Sequence, residues 1–161
     1  RSPGGELIRG VVVPTYASDP ERRPHRLLVV NCADGTDVRA LWARGLRATG
    51  THESPAVVDA ALASFHAQNT FDACAGESCF RRASPMRLPW ESGAFDAIVL
   101  PRYARAMNAS TAAQVAREMS RVASRRVFLW ADDDPSSALA RELRADGTTA
   151  REWWARQLLL A

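Results

Sequence analysis

The chain contains no lysine: all 21 of its basic residues are arginine. That absence excludes lysine nucleophiles and Schiff-base chemistry. It leaves guanidinium forks, which suit buried ion pairs and phosphate or protein interfaces, although a GC-rich genome, also signalled by abundant alanine, accounts for the bias as well. Cysteine is sparse. Cys32, Cys74 and Cys79 show neither CxxC spacing nor nearby paired histidines, so neither a zinc site nor a disulfide framework is expected. An intracellular, reducing compartment, cytoplasmic or mitochondrial matrix, fits that usage. No run approaches the roughly 20 apolar residues needed to span a bilayer, because Arg, Asp or Pro interrupts every hydrophobic stretch. Membrane insertion is not expected. Charge of one sign is also lacking in bulk. The net charge is +3 and arginine is spread from Arg1 to Arg156, without the basic stripe that direct nucleic-acid binding needs. No initiator Met precedes Arg1-Ser2-Pro3-Gly4-Gly5, so a processed or excised chain is expected, with any targeting peptide gone.

What is present suits one globular domain: 161 residues, 47% apolar and 24% charged. Residues 1–25 hold only Val11-Val12-Val13 between turn-rich segments and read as an irregular N-terminal arm. From residue 26 to 161 the pattern is regular. Leu27-Leu28-Val29-Val30 reads as a strand buried on both faces, followed by the turn Asn31-Cys32-Ala33-Asp34-Gly35. A helix over 37–44 presents Val38, Leu41 and Trp42, and a second strand runs over 46–51. Ser54-Pro55 starts a helix with Val57, Val58, Ala61, Leu62 and Phe65 on its apolar face. Further strands are expected over 79–84, 94–100 and 127–130, and further helices over 111–124 and 136–144. The tail 148–161 is open between a helix capped by Thr149 and Glu152 and a short hairpin. Alternating strands and helices imply an α/β fold: a single Rossmann-like domain with a mostly parallel twisted sheet and helices on both faces.

Leu88-Pro89-Trp90-Glu91-Ser92-Gly93-Ala94-Phe95-Asp96-Ala97-Ile98-Val99 resembles the leucine-proline-aromatic turn and fourth strand of the class I S-adenosylmethionine-dependent methyltransferases, of the type 11-like kind. Gly50-Thr51-His52-Glu53-Ser54-Pro55 resembles that family's second strand and following helix, and Arg117-Glu118-Met119-Ser120-Arg121-Val122 the helix before its fifth strand. The likeness spans 26–130. It implies a cofactor site lined by Asn31, Ala33, Gly35, His52, Glu53 and Ser84, with Tyr103 and Arg105 as substrate-side catalytic candidates by position.

At each of those positions the family's chemistry is weakened. The glycine-rich turn keeps only Gly35, while Asn31 and Ala33 add a Cβ where backbone is expected to approach the cofactor. The acidic position before the turn falls on Val29, the ribose carboxylate on His52 or, after a one-residue slip, Glu53, and the adenine-side Asp on Ser84. At roughly 1.5 to 3 kcal/mol per charge-assisted hydrogen bond, losing two or three weakens binding by orders of magnitude. The expectation is a non-catalytic methyltransferase homologue, a pseudoenzyme with no cofactor, acting as an accessory subunit among other protein subunits. The alternative is an active S-adenosylmethionine-dependent methyltransferase on a small molecule or protein. Asp132-Asp133-Asp134 reads as a solvated turn, and no metal site is expected. Trp153 and Trp154 read as core filling, or as an anchor for a partner beside Arg151 and Arg156.

Overall fold

The computed structural model describes residues 3–17, 25–67, 79–101, 107–131 and 137–160. At its centre is β1 (Arg26–Val30), whose Leu27, Leu28, Val29 and Val30 are all fully buried. A strand covered on both faces needs apolar side chains at odd and even positions alike, which is why the run is unbroken. It pairs in parallel with β2 (Arg47–His52) on one side and β4 (Phe95–Leu100) on the other. β3 (Phe80–Arg82) adds to β2, and β5 (Ala123–Leu129) adds to β4. The sheet order is β3-β2-β1-β4-β5, every pair parallel. Chain order reverses across β1 and β4, and in such sheets the crevice outside the carboxyl ends at that reversal is where ligands bind.

Leu27 and Val29 point into one core, shared with helices α3 (Thr36–Trp42) and α4 (Pro55–Ala67). Leu28 and Val30 point into the other, shared with α5 (Ala109–Val122), α6 (Ala138–Leu143) and α7 (Ala150–Leu160). The sheet is therefore sandwiched as expected.

Several boundaries differ from the sequence reading. The N-terminal segment is helical over Pro3–Ala17 instead of irregular: α1 (Pro3–Leu7), a π-helical turn (Ile8–Val12) and α2 (Val13–Ala17). Leu7, Ile8, Val12 and Tyr16 are buried in the first core. Gly4-Gly5 and a run of three β-branched valines argue against a helix locally, and burial of this four-residue-spaced face overrides them. Helix α5 starts at Ala109, capped by Asn108, whose Oδ1 accepts from Thr111 N at 2.8 Å. It passes without a linker into β5, four residues earlier than expected, since no Gly or Pro marks the boundary. The tail resolves as helix α7, with the capping box formed: Glu152 N donates to Thr149 Oγ1 at 3.2 Å, and Thr149 N to Glu152 Oε2 at 3.1 Å. Trp154 is core, 1% exposed, while Leu159 stands out at 85%. Cys79 is disulfide-bonded, which corrects the expectation of no disulfide, and Cys32 is a free buried thiol. Three cysteines without motif spacing carry no sequence signal for pairing. Among the described residues no helix is long and apolar enough to cross a membrane.

The link between β3 and β4 contains no helix, and α5 holds it in place. Glu118 Oε2 accepts from Leu88 N at 2.7 Å, while the Arg121 guanidinium donates to Trp90 O at 2.7 Å, to Leu88 O at 2.9 Å and to both Glu118 oxygens. Gly93 N donates to Arg121 O, and Gln114 Nε2 to Met86 O. Two sequence pieces that resemble a family separately are thus one physical unit: the helix supplies a clamp for the turn's backbone groups, which no regular structure satisfies.

Candidate functional site

The carboxyl ends of β1 and β2 bring together Asn31, Cys32, Ala33, Gly35 and His52, all expected to border the crevice except Cys32. The β1 ladder continues through Cys32 N, which donates to Thr51 O at 2.9 Å, and the turn closes with Gly35 N donating to Cys32 O at 3.0 Å. Asn31, Ala33 and Gly35 all have left-handed backbone, with φ of 58°, 48° and 80°. The path of a glycine-rich turn is kept although two of its residues carry a Cβ. Asn adopts this conformation readily, whereas Ala does so at about 1–2 kcal/mol.

Gly35 is required by packing. A Cβ there meets Phe80 Cζ at 2.7 Å. A Cβ on Gly50, in the neighbouring strand, would meet Cys32 Cβ at 2.8 Å and Phe80 Cδ1 at 2.9 Å. Phe80, 1% exposed and edge-to-face with Phe65 at 5.5 Å, therefore fills the space beneath the turn. Sequence reasoning missed this role because Phe80 starts a strand of only three residues with two arginines.

His52 Nδ1 accepts from Ser54 N at 3.0 Å, so that ring nitrogen is committed to the start of α4. Glu53 is exposed, and its carbonyl accepts from Arg82 Nε at 3.0 Å. Ser84 is drawn into its own link: its Oγ accepts from Met86 N at 3.2 Å and its carbonyl from Arg87 N at 3.1 Å. Tyr103, Arg105 and the 132–134 acidic run lie outside the described residues.

The turn does hold carboxylates, but not at the expected positions. Asp34 Oδ1 accepts from Thr36 N at 3.0 Å, and Asp37, in the first turn of α3, is 2% exposed. Acidic residues at a helix start complement its dipole, which is the signal that could have singled out Asp37. The Cys32 thiol is pushed up to about 12, chiefly by burial, with Asp37 and Asp34 adding to the rise. It is an inert packing group at neutral pH. Among the described residues no group of three metal-ligating side chains occurs.

The model of a methyltransferase domain matches residues 28–131. The chain belongs to the methyltransferase domain family. Solved structures of similar fold include the YcgJ protein of Bacillus subtilis, 20% identical, with a TM-score of 0.64 over 81% of this chain and 53% of that one. Magnesium protoporphyrin IX methyltransferase (ChlM) from Synechocystis PCC 6803, solved with bound SAH, is 18% identical, with a TM-score of 0.62 over 78% and 55%. A chain from the complex of the Haloferax volcanii Trm112 methyltransferase activator is 17% identical, with a TM-score of 0.50 over 73% and 47%. Among curated proteins none matches by sequence. This methyltransferase-domain chain spans about half the length of the solved structures it matches. At the positions singled out in the sequence, Val29 is apolar and fully buried, His52 Nδ1 accepts from Ser54 N, and Ser84 Oγ accepts from Met86 N.

Proposed function

We propose that this chain is a methyltransferase-fold domain that has lost cofactor binding and serves as a structural or accessory subunit of a larger protein complex. One observation carries the reading. The glycine that survives in the first turn is the one whose Cβ would meet Phe80 at 2.7 Å, whereas the other two positions where glycine is expected hold Asn31 and Ala33, both half-buried with positive φ. Glycine is kept where packing needs it and absent at the two positions where the family resemblance implies backbone approach to a cofactor.

The left-handed backbone at Asn31 and Ala33 favours a second reading, an active S-adenosylmethionine-dependent methyltransferase that holds its cofactor through main-chain groups. In that reading Asn31, Ala33, Gly35, His52, Glu53 and Ser84 line the cofactor, and Tyr103 and Arg105 are the substrate-side candidates by sequence position. Titration calorimetry with S-adenosylmethionine and S-adenosylhomocysteine separates the two, with thermal unfolding alongside. The first reading expects no saturable heat at 1 mM ligand and no rise in melting temperature. Micromolar binding with thermal protection rejects it and establishes the second.

A further inference from the structure

We infer that two copies of this chain associate edge to edge, their β5 strands pairing antiparallel about a two-fold axis. The two edges of the sheet are built differently. β3 is three residues long and carries exposed Arg81 and Arg82, the brevity and charge by which proteins blunt an edge. β5 is seven residues long, and its second half, Val127-Phe128-Leu129, runs on into Trp130 without a charge or a proline. Trp130 N donates to Leu100 O at 3.1 Å, so by the alternation along a strand the amide groups of Val127 and Leu129 face away from β4. Among the described residues neither makes a backbone bond beyond that ladder. Phe128 and Trp130 pack on one core and Val127 and Leu129 on the other, yet all four are only half-buried. A groove of about 360 Å³, lined by Ala123 to Val127 and by Leu158, follows the same strand, so α7 leaves it uncovered.

The strand's own sequence selects a second copy as the occupant. A two-fold centred on Arg126 sets two guanidiniums opposite each other, which destabilises a sheet. Centred on Phe128, it matches every position. The outward amide groups of Val127 then meet those of Leu129 in the second copy, each pair exchanging both N–H···O bonds. Phe128 lies opposite Phe128 as a non-hydrogen-bonded pair, where side chains approach closest, and Arg126 lies opposite Trp130 on the same face. The exposed Arg126 guanidinium already sits 5.7 Å over the Tyr16 ring, and an indole across the interface extends that cation–π contact. Arg125 falls opposite Ala131, so no like charges are juxtaposed. An interface of this kind is isologous and closes at two chains, which removes the edge and does not pass it on.

The test uses the whole chain. Sedimentation equilibrium at about 100 µM, where an interface of modest affinity is populated, should return twice the chain mass of 17.6 kDa and fall toward that mass on dilution. Val127→Pro removes a donor that faces away from β4, and proline is tolerated at such an edge position, so the monomer keeps its ladder. It should weaken association about tenfold or more, because one bond is lost in each copy. The register is read independently by Phe128→Cys, with dioxygen and copper phenanthroline as the oxidant. A non-hydrogen-bonded pair has Cα atoms about 4.5 Å apart, within the span of a disulfide, so this variant should cross-link to a dimer. Val127→Cys, opposite Leu129, should link far more slowly. A monomer throughout the concentration range, an undiminished dimer in folded Val127→Pro, or faster linking of Val127→Cys than of Phe128→Cys overturns the pairing. Should Val127→Pro fail to fold, the two cysteine variants decide. β5 lies two strands from β1 and its turn, so either result stands whatever S-adenosylmethionine does.

Discussion

Removing the Arg121 side chain should unfasten the β3–β4 link from α5. Arg121→Ala deletes donors to Trp90 O and Leu88 O and the ion pair with Glu118, leaving two backbone carbonyls and a carboxylate to be rehydrated. Hydrogen bonds to charged groups are worth about 1.5–3 kcal/mol when shielded. The Arg121 side chain is 35% exposed and that of Glu118 13%, so water replaces part of what is lost and the lower values apply. The expected loss is about 2–3 kcal/mol for Arg121→Ala and about 1 kcal/mol for Glu118→Gln, which keeps an acceptor for Leu88 N. Urea unfolding should show a lower midpoint at unchanged slope, with the melting temperature down by roughly 5–10 °C for Arg121→Ala. A double-mutant cycle should return about 1 kcal/mol of coupling. The Glu118 carboxyl is held below its usual 4.5, first by the Arg121 hydrogen bond and further by that from Leu88 N. A lowered folded value means the contribution is complete above about pH 4.5 and disappears as pH falls through the folded value. Wild type should therefore lose stability below pH 4.5 more steeply than Glu118→Gln. Arg117→Ala is the control, since Arg117 is exposed and its guanidinium donates to Gln114 on the same helix, and it should stay within about 0.5 kcal/mol. If Arg121→Ala behaves like that control, or the coupling is nil, the clamp does not hold the link.

Gly50→Ala forces a methyl to within 3 Å of Cys32 and Phe80 and should cost about 1–3 kcal/mol in chemical denaturation; a neutral result would mean the space beneath the turn is loosely packed. Ala33→Gly relieves about 1–2 kcal/mol of left-handed strain against about 0.5–1 kcal/mol of added unfolded-state freedom. It should raise stability by a few tenths to about 1 kcal/mol, and a fall would show that Ala33 makes a stabilising contact. The Cys32 thiol, pushed up to about 12, should resist an aromatic disulfide reagent at pH 8 and react only on unfolding; rapid modification of the native chain would contradict its burial.

The sheet was legible because burial on both faces writes itself as an unbroken apolar run, and Leu27–Val30 and Ala97–Leu100 do so. Helix α4 announced itself through Ser54-Pro55, and α7 through Thr149 and Glu152. The N-terminal helix did not, since its glycines and valines oppose the tertiary contacts of Ile8, Val12 and Tyr16 that decide it. The passage from α5 to β5 was displaced for a related reason: Ala123 and Ser124 suit either state, and the pairing of Ala123 with Phe95 chooses the strand. At the first turn the residue types were readable and the backbone was not. Substituting glycine by Asn and Ala suggests a changed path, yet both residues keep positive φ because the Cys32–Thr51 and Gly35–Cys32 hydrogen bonds fix the chain on either side.

A left-handed non-glycine residue and a packed glycine differ in what they cost the fold. Left-handed Ala33 costs the folded state about 1–2 kcal/mol and Asn31 less, and about half of that is recovered by restricting the unfolded chain. Together the two subtract on the order of 1 kcal/mol from a domain whose stability is typically about 5–15. A Cβ at Gly35 or Gly50 is different in kind, because it must displace Phe80 from a core shared with Phe65 and Ala61, and Gly35 adds the conformational strain as well. A substitution at Gly35 or Gly50 is therefore expected to cost the fold more than exchanging Asn31 or Ala33 for glycine, and comparing Gly50→Ala with Ala33→Gly in chemical denaturation checks it.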